Sequence, residues 1–379
     1  MATKKLRLVE TTKDFLVEIK SAIGINEAQS LLGFLLLIFT LTTTEPSVSL
    51  LTVCTVFLAL GIASAVHSAD VIAKRVGPSL GTLILAIAVT IIEVALIINL
   101  MKSNPESSHT LARDTVFAAI MIVTNGITGF SILLGGMKQK ELGFQAIGTS
   151  SLMAVLVTLA IITMVLPNFT TSTVGPTYNN AQLIAVSLFA LIIYASLVWS
   201  QTRSHKDFFE PISSEQFKKL EDQKYIPSKI KAIISFVGLI VSLTVVVGLA
   251  KVLSPSILAV VNFLESPKSS VGIIVAILVL APETFSALNS AKANQIQTSF
   301  NLALGSGVAS IALTIPVVTM YSIIFEQTLT LGLDSKSMLF LALTFIAGSF
   351  TFGTGRTTAL HGIVHIIILL CYIIMSFIP

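Results

Sequence analysis

Residues 85–104 read LAIAVTIIEVALIINLMKSN, an apolar run with a glutamate, Glu93, near its middle. A helix needs about 20 apolar residues to cross a hydrocarbon core. An ionisable side chain at the centre of such a helix costs about 2.5–3.5 kcal/mol on insertion scales. Glu93 therefore calls for a partner or a task. The pattern around it recurs: EVALIINLMKSN follows from Glu93 and ETFSALNSAKAN from Glu283. Both read E-x5-N-x2-K-x-N, matching Glu93, Asn99, Lys102 and Asn104 to Glu283, Asn289, Lys292 and Asn294.

Outward from these two stretches the chain is apolar almost end to end, with 54% hydrophobic and 11% charged residues among 379. A soluble protein of this length does not carry so many long apolar runs. The expected fold class is an all-α polytopic membrane protein of about 11 transmembrane helices. Spans are expected at 28–44, 48–75, 81–102, 112–136, 144–166, 181–201, 229–265, 268–292, 298–327, 336–353 and 357–378. Pro255 is expected to kink the seventh. The N-terminal MATKKLRLVETTKDFLVEIKS has mixed charge and no apolar core, unlike a signal peptide. Cys54 and Cys371, the two cysteines, support neither a disulfide framework nor a zinc site.

The Lys and Arg residues test this count. With the N-terminus inside, 18 of the 23 fall on inner segments, four on outer ones and Lys251 within a span. The net charge of +4 is thus a topology signal and does not point to nucleic acid. A cell-membrane location, inner or plasma, is expected, with the N-terminus cytoplasmic. Each glutamate lies in the second helix of a block of five. Five crossings invert one block relative to the next. The organisation expected is a cytoplasmic segment 1–27, a first helix 28–44, a five-helix repeat 45–201, a cytoplasmic loop 202–228 and a second five-helix repeat 229–379. Inverted repeats with a midplane site at their interface are a recurring transporter plan. Four shared positions can also arise by coincidence in so biased a composition.

Counting 1.5 Å per residue from the helix ends puts Glu93 and Glu283 near the midplane. Two carboxylates meeting there repel, and one divalent cation or two protons neutralise them equally well. That equivalence is a physical basis for exchange. The plainer reading is a hydrogen-bonded, protonated glutamate in a static bundle. Neutral oxygens lie nearby in sequence: Thr90 one turn before Glu93, Thr124 and Asn125 in the next span, Ser306 and Ser310 in the span after Glu283, and Asn301 higher up in it. Calcium takes six to eight such oxygens. Each hydroxyl could equally bond its own helix. Pro282 lacks an N–H, which frees the Leu278 carbonyl for a cation, or merely tolerates a kink. The glycines of TNGITGFSILLGG and ALGSGVAS permit close helix approach. His361 and His365, four apart on one face, suit a metal or simple packing.

These residues resemble the calcium/cation antiporter superfamily, in its cation/proton exchanger branch, a family also associated with sodium and potassium. The likeness covers nearly the whole chain after the N-terminus. GGMKQKELGF from Gly135 is similar to the branch's Gly-Gly-x-Lys-x-x-Glu stretch, and ALGS at 303–306 stands beyond Glu283 as the second repeat has it. GRTTALHG from Gly355 looks like a variant of the last such stretch. The family's glutamates fall on Glu93 and Glu283, and its Ser-Asn pair on Thr124 and Asn125. The Gly-Asn-x-x-Glu signature is absent: Val89-Thr90 precedes Glu93 and Val279-Leu280 precedes Glu283. The resemblance implies two inverted five-helix bundles and secondary active transport.

The function expected is export of Ca2+ in exchange for H+, with Na+(K+)/H+ antiport as the alternative. The site residues expected are Glu93 and Glu283, which also bind the metal, with Thr90, Thr124, Asn125, Ser306 and the Leu278 carbonyl. Partners are inorganic cations, protons and the lipid bilayer. No cofactor is expected, since the ions are transported. An intramembrane enzyme would need a nucleophile or metal motif, and no H-E-x-x-H or G-x-S-x-G occurs. A passive channel would need a selectivity filter, and no filter-like loop is evident.

Overall fold

The structure, a computed structural model, describes residues 24–43, 46–76, 78–103, 108–210, 227–263, 266–267 and 269–378. Of the expected 1–27 segment only 24–27 fall within these, and of the expected 202–228 loop only 202–210 and 227–228. Asn104 lies outside the described residues.

Eleven helices among the described residues are long and apolar enough to cross a membrane. In chain order they are α1 (Ile25–Thr42), α2 (Val48–Val76), α3 (Pro78–Ser103), α4 (His109–Gly136), α5 (Ala146–Phe169), α6 (Asn180–Ser204), α7 (Lys229–Phe263), α8 (Ser270–Lys292), α9 (Ile296–Ile324), α10 (Ser335–Phe352) and α11 (Ala359–Phe377). Their bounds fall within a few residues of the expected spans. The chain is a multi-pass membrane protein.

Local chemistry starts and stops these helices. Asn179 caps α6 by accepting from the Gln182 N–H, and the Gln182 side chain accepts in return from the Asn179 N–H. Past the end of α8, Asn294 takes φ of 64°. Asparagine is one of the few residues that enter this left-handed region readily. The last asparagine of the repeated motif is therefore a helix stop. Pro255, Pro282 and Pro316 lie inside α7, α8 and α9, which run on through them.

The described residues form two compact units. The first holds the residues up to Ile92 and 227–253, and the second holds 93–210 and those from 254 onward. In the first unit α1, α2 and the opening of α7 pack through small residues. A Cβ on Gly33 would stand 2.9 Å from Val245, and one on Gly248 2.5 Å from Leu37.

In the second unit the connections pair up as the count of crossings requires. At one end, Leu142–Gly143 (β1), after α4, pairs antiparallel with Arg356–Thr357 (β2), before α11. There the Lys138 Nζ also donates to the Lys292 carbonyl at 2.7 Å. At the other end, Thr330 N donates to the His109 carbonyl at 2.8 Å, and Gly332 N to the Pro176 carbonyl at 3.0 Å. Arg113, paired with Asp114, adds a bond from its Nη1 to the Gly332 carbonyl at 2.8 Å. One miscounted helix between any two of these loops would put them at opposite ends. Tyr178, also in this region, donates its hydroxyl to the Ile162 carbonyl at 2.6 Å. Burial pushes the Tyr178 phenol up to about 12, so it remains a donor at neutral pH.

Candidate functional site

The second unit holds both glutamates. Glu93, on α3, is 3% exposed, and Glu283, on α8, is 8% exposed. Their surroundings differ. The Ser310 hydroxyl donates to Glu93 Oε1 at 2.6 Å, and the Thr314 hydroxyl to Oε2 at 3.0 Å. Both donors belong to α9. They are four apart, so they stand on one face. Glu283 Oε2, by contrast, is buried with no hydrogen-bond partner among the described residues.

α4 supplies Thr124 and Asn125 from an unusual backbone. Its middle, Ile122–Ile127, is a π-helical turn. Such turns are single-turn insertions in α-helices and concentrate at functional sites. Both side chains are fully buried. The Thr124 Oγ1 has no partner among the described residues, and the Thr124 carbonyl accepts from the Thr128 hydroxyl. Asn125 is held from two sides. Its Nδ2 donates to Thr344 Oγ1 at 2.8 Å, and its Oδ1 lies 2.8 Å from His365 Nδ1. The amide oxygen only accepts, so His365 Nδ1 carries the proton. His365 Nε2 lies 3.0 Å from Thr351 Oγ1, and the ring stacks on Phe352.

The remaining expected residues stand as follows. Ser306 is half-buried on α9, one turn before Ser310. Beside it, Gly305 has nothing within 4 Å of where a Cβ would sit. The Leu278 carbonyl, on half-buried Leu278, lies four residues before Pro282, which has no N–H to offer it. Thr90 belongs to the first unit and donates its hydroxyl to the Ala86 carbonyl at 2.8 Å. Asn301, nearer the start of α9, donates to the Phe209 carbonyl at 2.5 Å. His361 bonds Thr358 at the start of α11 through its Nδ1, whereas His365 bonds Asn125 and Thr351. No group of three or more His, Cys, Asp or Glu side chains able to hold a metal occurs among the described residues.

Two features of the site leave no mark in the sequence, and a third does. Thr314 looked like any helical threonine. His365 meets Asn125 across 240 residues of chain, which no local pattern records. Pro316 was legible, since its missing N–H frees the Ala312 carbonyl, between the two hydroxyls that hold Glu93.

One family description, sodium/calcium exchanger protein, matches the chain twice, over residues 46–203 and 234–378. Five helices fall in each match, so the two halves are copies of one plan, and five crossings invert one against the other. The chain is 39% identical over 335 residues to the protein y4hA of Sinorhizobium fredii (strain NBRC 101917 / NGR234), covering 88% of this chain and 90% of y4hA. It is 32% identical over 314 residues to the sodium-potassium/proton antiporter ChaA of Escherichia coli (strain K12), covering 83% and 85%. The solved structure of native YfkE superposes with a TM-score of 0.70 at 18% identity, over 94% of this chain and all of YfkE. That likeness shows the fold.

Proposed function

The chain belongs to the sodium/calcium exchanger protein family, and from that premise we propose that it is a secondary active antiporter that exports Ca2+ in exchange for H+. The observation that carries the reading is the pair of buried glutamates on the second helices of two inverted copies. Glu93 and Glu283 bind a cation when ionised and release it when protonated. The orphaned oxygens of Glu283 and Thr124 support this, because buried polar atoms normally have partners. So do the Glu93 hydroxyls, which orient one carboxylate, and the Gly305–Ser306 step, where the helix surface is open. Oxygens of Thr124, Asn125, Ser306 and the Leu278 carbonyl complete the ligand set, and Thr90 lies on the same helix as Glu93. Hard cations take such an all-oxygen set.

The unloaded pair carries two negative charges in an apolar interior, which hinders its return across the membrane. The protein changes face when one divalent cation or two protons neutralise the pair. That restriction couples the fluxes, and an inward proton gradient drives cation efflux. The ions are substrates. The alternative, Na+(K+)/H+ antiport on the same fold, is favoured by the name of the Escherichia coli relative. The N-terminus is placed in the cytoplasm and the protein in the cell membrane, on the 18-to-4 bias of basic residues.

Flux in proteoliposomes under an imposed pH gradient, with calcium, sodium and potassium compared, tests the reading. Glu93→Gln and Glu283→Gln should each stop exchange. A single charge neither holds a divalent ion well nor carries two protons. Flux near wild type in both variants would overturn the assignment. Exchange of sodium or potassium without calcium would keep the pair and replace the substrate.

A further inference from the structure

In the first unit α1, α2 and α7 share a buried polar column that the proposed exchange does not use. Its upper layer is closed. Ser30 Oγ lies 2.7 Å from both Ser64 Oγ and Ser242 Oγ, and Ser64 donates to the Asn26 carbonyl at 2.9 Å. One turn along each helix the column opens. Ser68 follows Ser64 by four residues, Gly238 precedes Ser242 by four, and Glu27 precedes Ser30 by three. Ser68 Oγ and Glu27 Cγ lie 3.4 and 3.7 Å from where a Cβ on Gly238 would sit. Both side chains therefore converge on the space that glycine leaves. Ser235 stands one turn farther along the same face of α7.

Glu27 is 8% exposed, and Ser68 and Ser235 are fully buried. Glu27 Oε2 accepts from the Gly24 N–H at 2.8 Å, which caps α1. The Ser68 and Ser235 hydroxyls have no hydrogen-bond partner among the described residues. A serine within a helix ordinarily bonds the carbonyl one turn back, as Ser242 does with Gly238 at 2.8 Å. Two buried serines that do not, one of them facing the Gly238 gap together with buried Glu27 and the other one turn along the same face of α7, mark a place for a ligand.

The donors are all oxygen, which selects a hard cation. They bring one formal negative charge, so a monovalent ion leaves the group neutral, whereas a divalent ion would strand a charge among apolar helices. We propose that Glu27, Ser68 and Ser235 form a second cation site, for sodium or potassium, that ties α1 to α2 and α7.

A ligand that binds only the folded protein raises its unfolding temperature saturably. The test measures thermal unfolding of the full-length protein in detergent against lithium, sodium, potassium and choline chlorides at constant ionic strength. It is run in the Glu93→Gln/Glu283→Gln double variant, which removes the carboxylate charge of the exchange site. A saturable rise with sodium or potassium, absent with choline, is expected. Half-saturation should move to roughly tenfold higher salt on adding Glu27→Gln or Ser68→Ala. Glutamine keeps an oxygen for the Gly24 N–H, so the α1 cap survives. The same comparison of Glu27→Gln against its parent in the otherwise wild-type chain gives the readout independently of the double variant. No saturable rise, or unchanged half-saturation in both Glu27→Gln and Ser68→Ala, overturns the site. Either outcome leaves the exchange proposal as it stood.

Discussion

Glu93 is held by two hydroxyls of one helix, and removing one without changing its shape isolates its contribution. Thr314→Val keeps the side-chain volume and deletes the donor to Oε2. A hydrogen bond to a charged group is worth about 1.5–3 kcal/mol. Apparent cation affinity in vesicle flux should accordingly fall by about one to two orders of magnitude, with expression unchanged. Unaltered affinity would make Thr314 a packing residue. Asn125→Ala should weaken apparent affinity too, and it also strips the acceptor from His365. A buried donor left alone costs about 1–3 kcal/mol, so this variant should melt several degrees lower as well. Lowered melting with wild-type affinity would restrict Asn125 to a structural role. At this scale the glutamates were readable because an ionisable group inside an apolar run is itself a signal. Their hydroxyl partners were not, because serine and threonine are ordinary in membrane helices and sequence does not say which way each points. Ser310 could be named as a donor; Thr314 and His365 could not.

Between elements, α4 and α11 approach each other closely in the second unit. A Cβ on Gly362 would lie 2.7 Å from the Gly129 carbonyl, and one on Gly129 3.0 Å from the Cβ of His365. The crossing therefore needs glycine on both sides. It also sets the distance at which His365 meets Asn125. Gly362→Leu should prevent a stable, monodisperse protein in detergent, whereas Gly362→Ala should insert but show reduced exchange. A leucine variant with wild-type melting and flux would show that the crossing can relax. Helix positions were legible because about 20 apolar residues are required for each crossing. The π-helical turn at Ile122–Ile127 was not, since one extra residue in a helix leaves the hydropathy pattern intact. The β1–β2 pair escaped for another reason. Two residues on each side carry no alternation to read.

For the molecule as a whole, orientation and pH response are the quantities to measure. With the N-terminus inside, single cysteines at Gln139 and Ser172, both exposed and flanking α5, should label from the cytoplasmic and outer sides respectively. Cys54 and Cys371 would first be replaced. Labelling of both from one side would break the count of crossings and with it the inversion of the repeats. On the proposed mechanism protons and cations compete for the same two carboxylates, so apparent calcium affinity should rise with pH until the pair is fully ionised, then level off. An affinity that is flat across this range, measured by flux at fixed calcium gradients, would uncouple protons from the site. The repeat was visible from four shared positions, yet one of them, Asn294, serves to end a helix. The sequence pattern alone did not separate that local device from the carboxylate beside it.

The pairing of β1 with β2 also bears on how the protein is made. The first strand emerges with the fourth helix, but its partner at Arg356–Thr357 precedes only the last one. Until Arg356 and Thr357 are synthesised, Leu142 and Gly143 keep unpaired main-chain groups at the membrane surface. A ribosome stalled before this point leaves a chain whose helices are nearly all present and whose rim is unfastened.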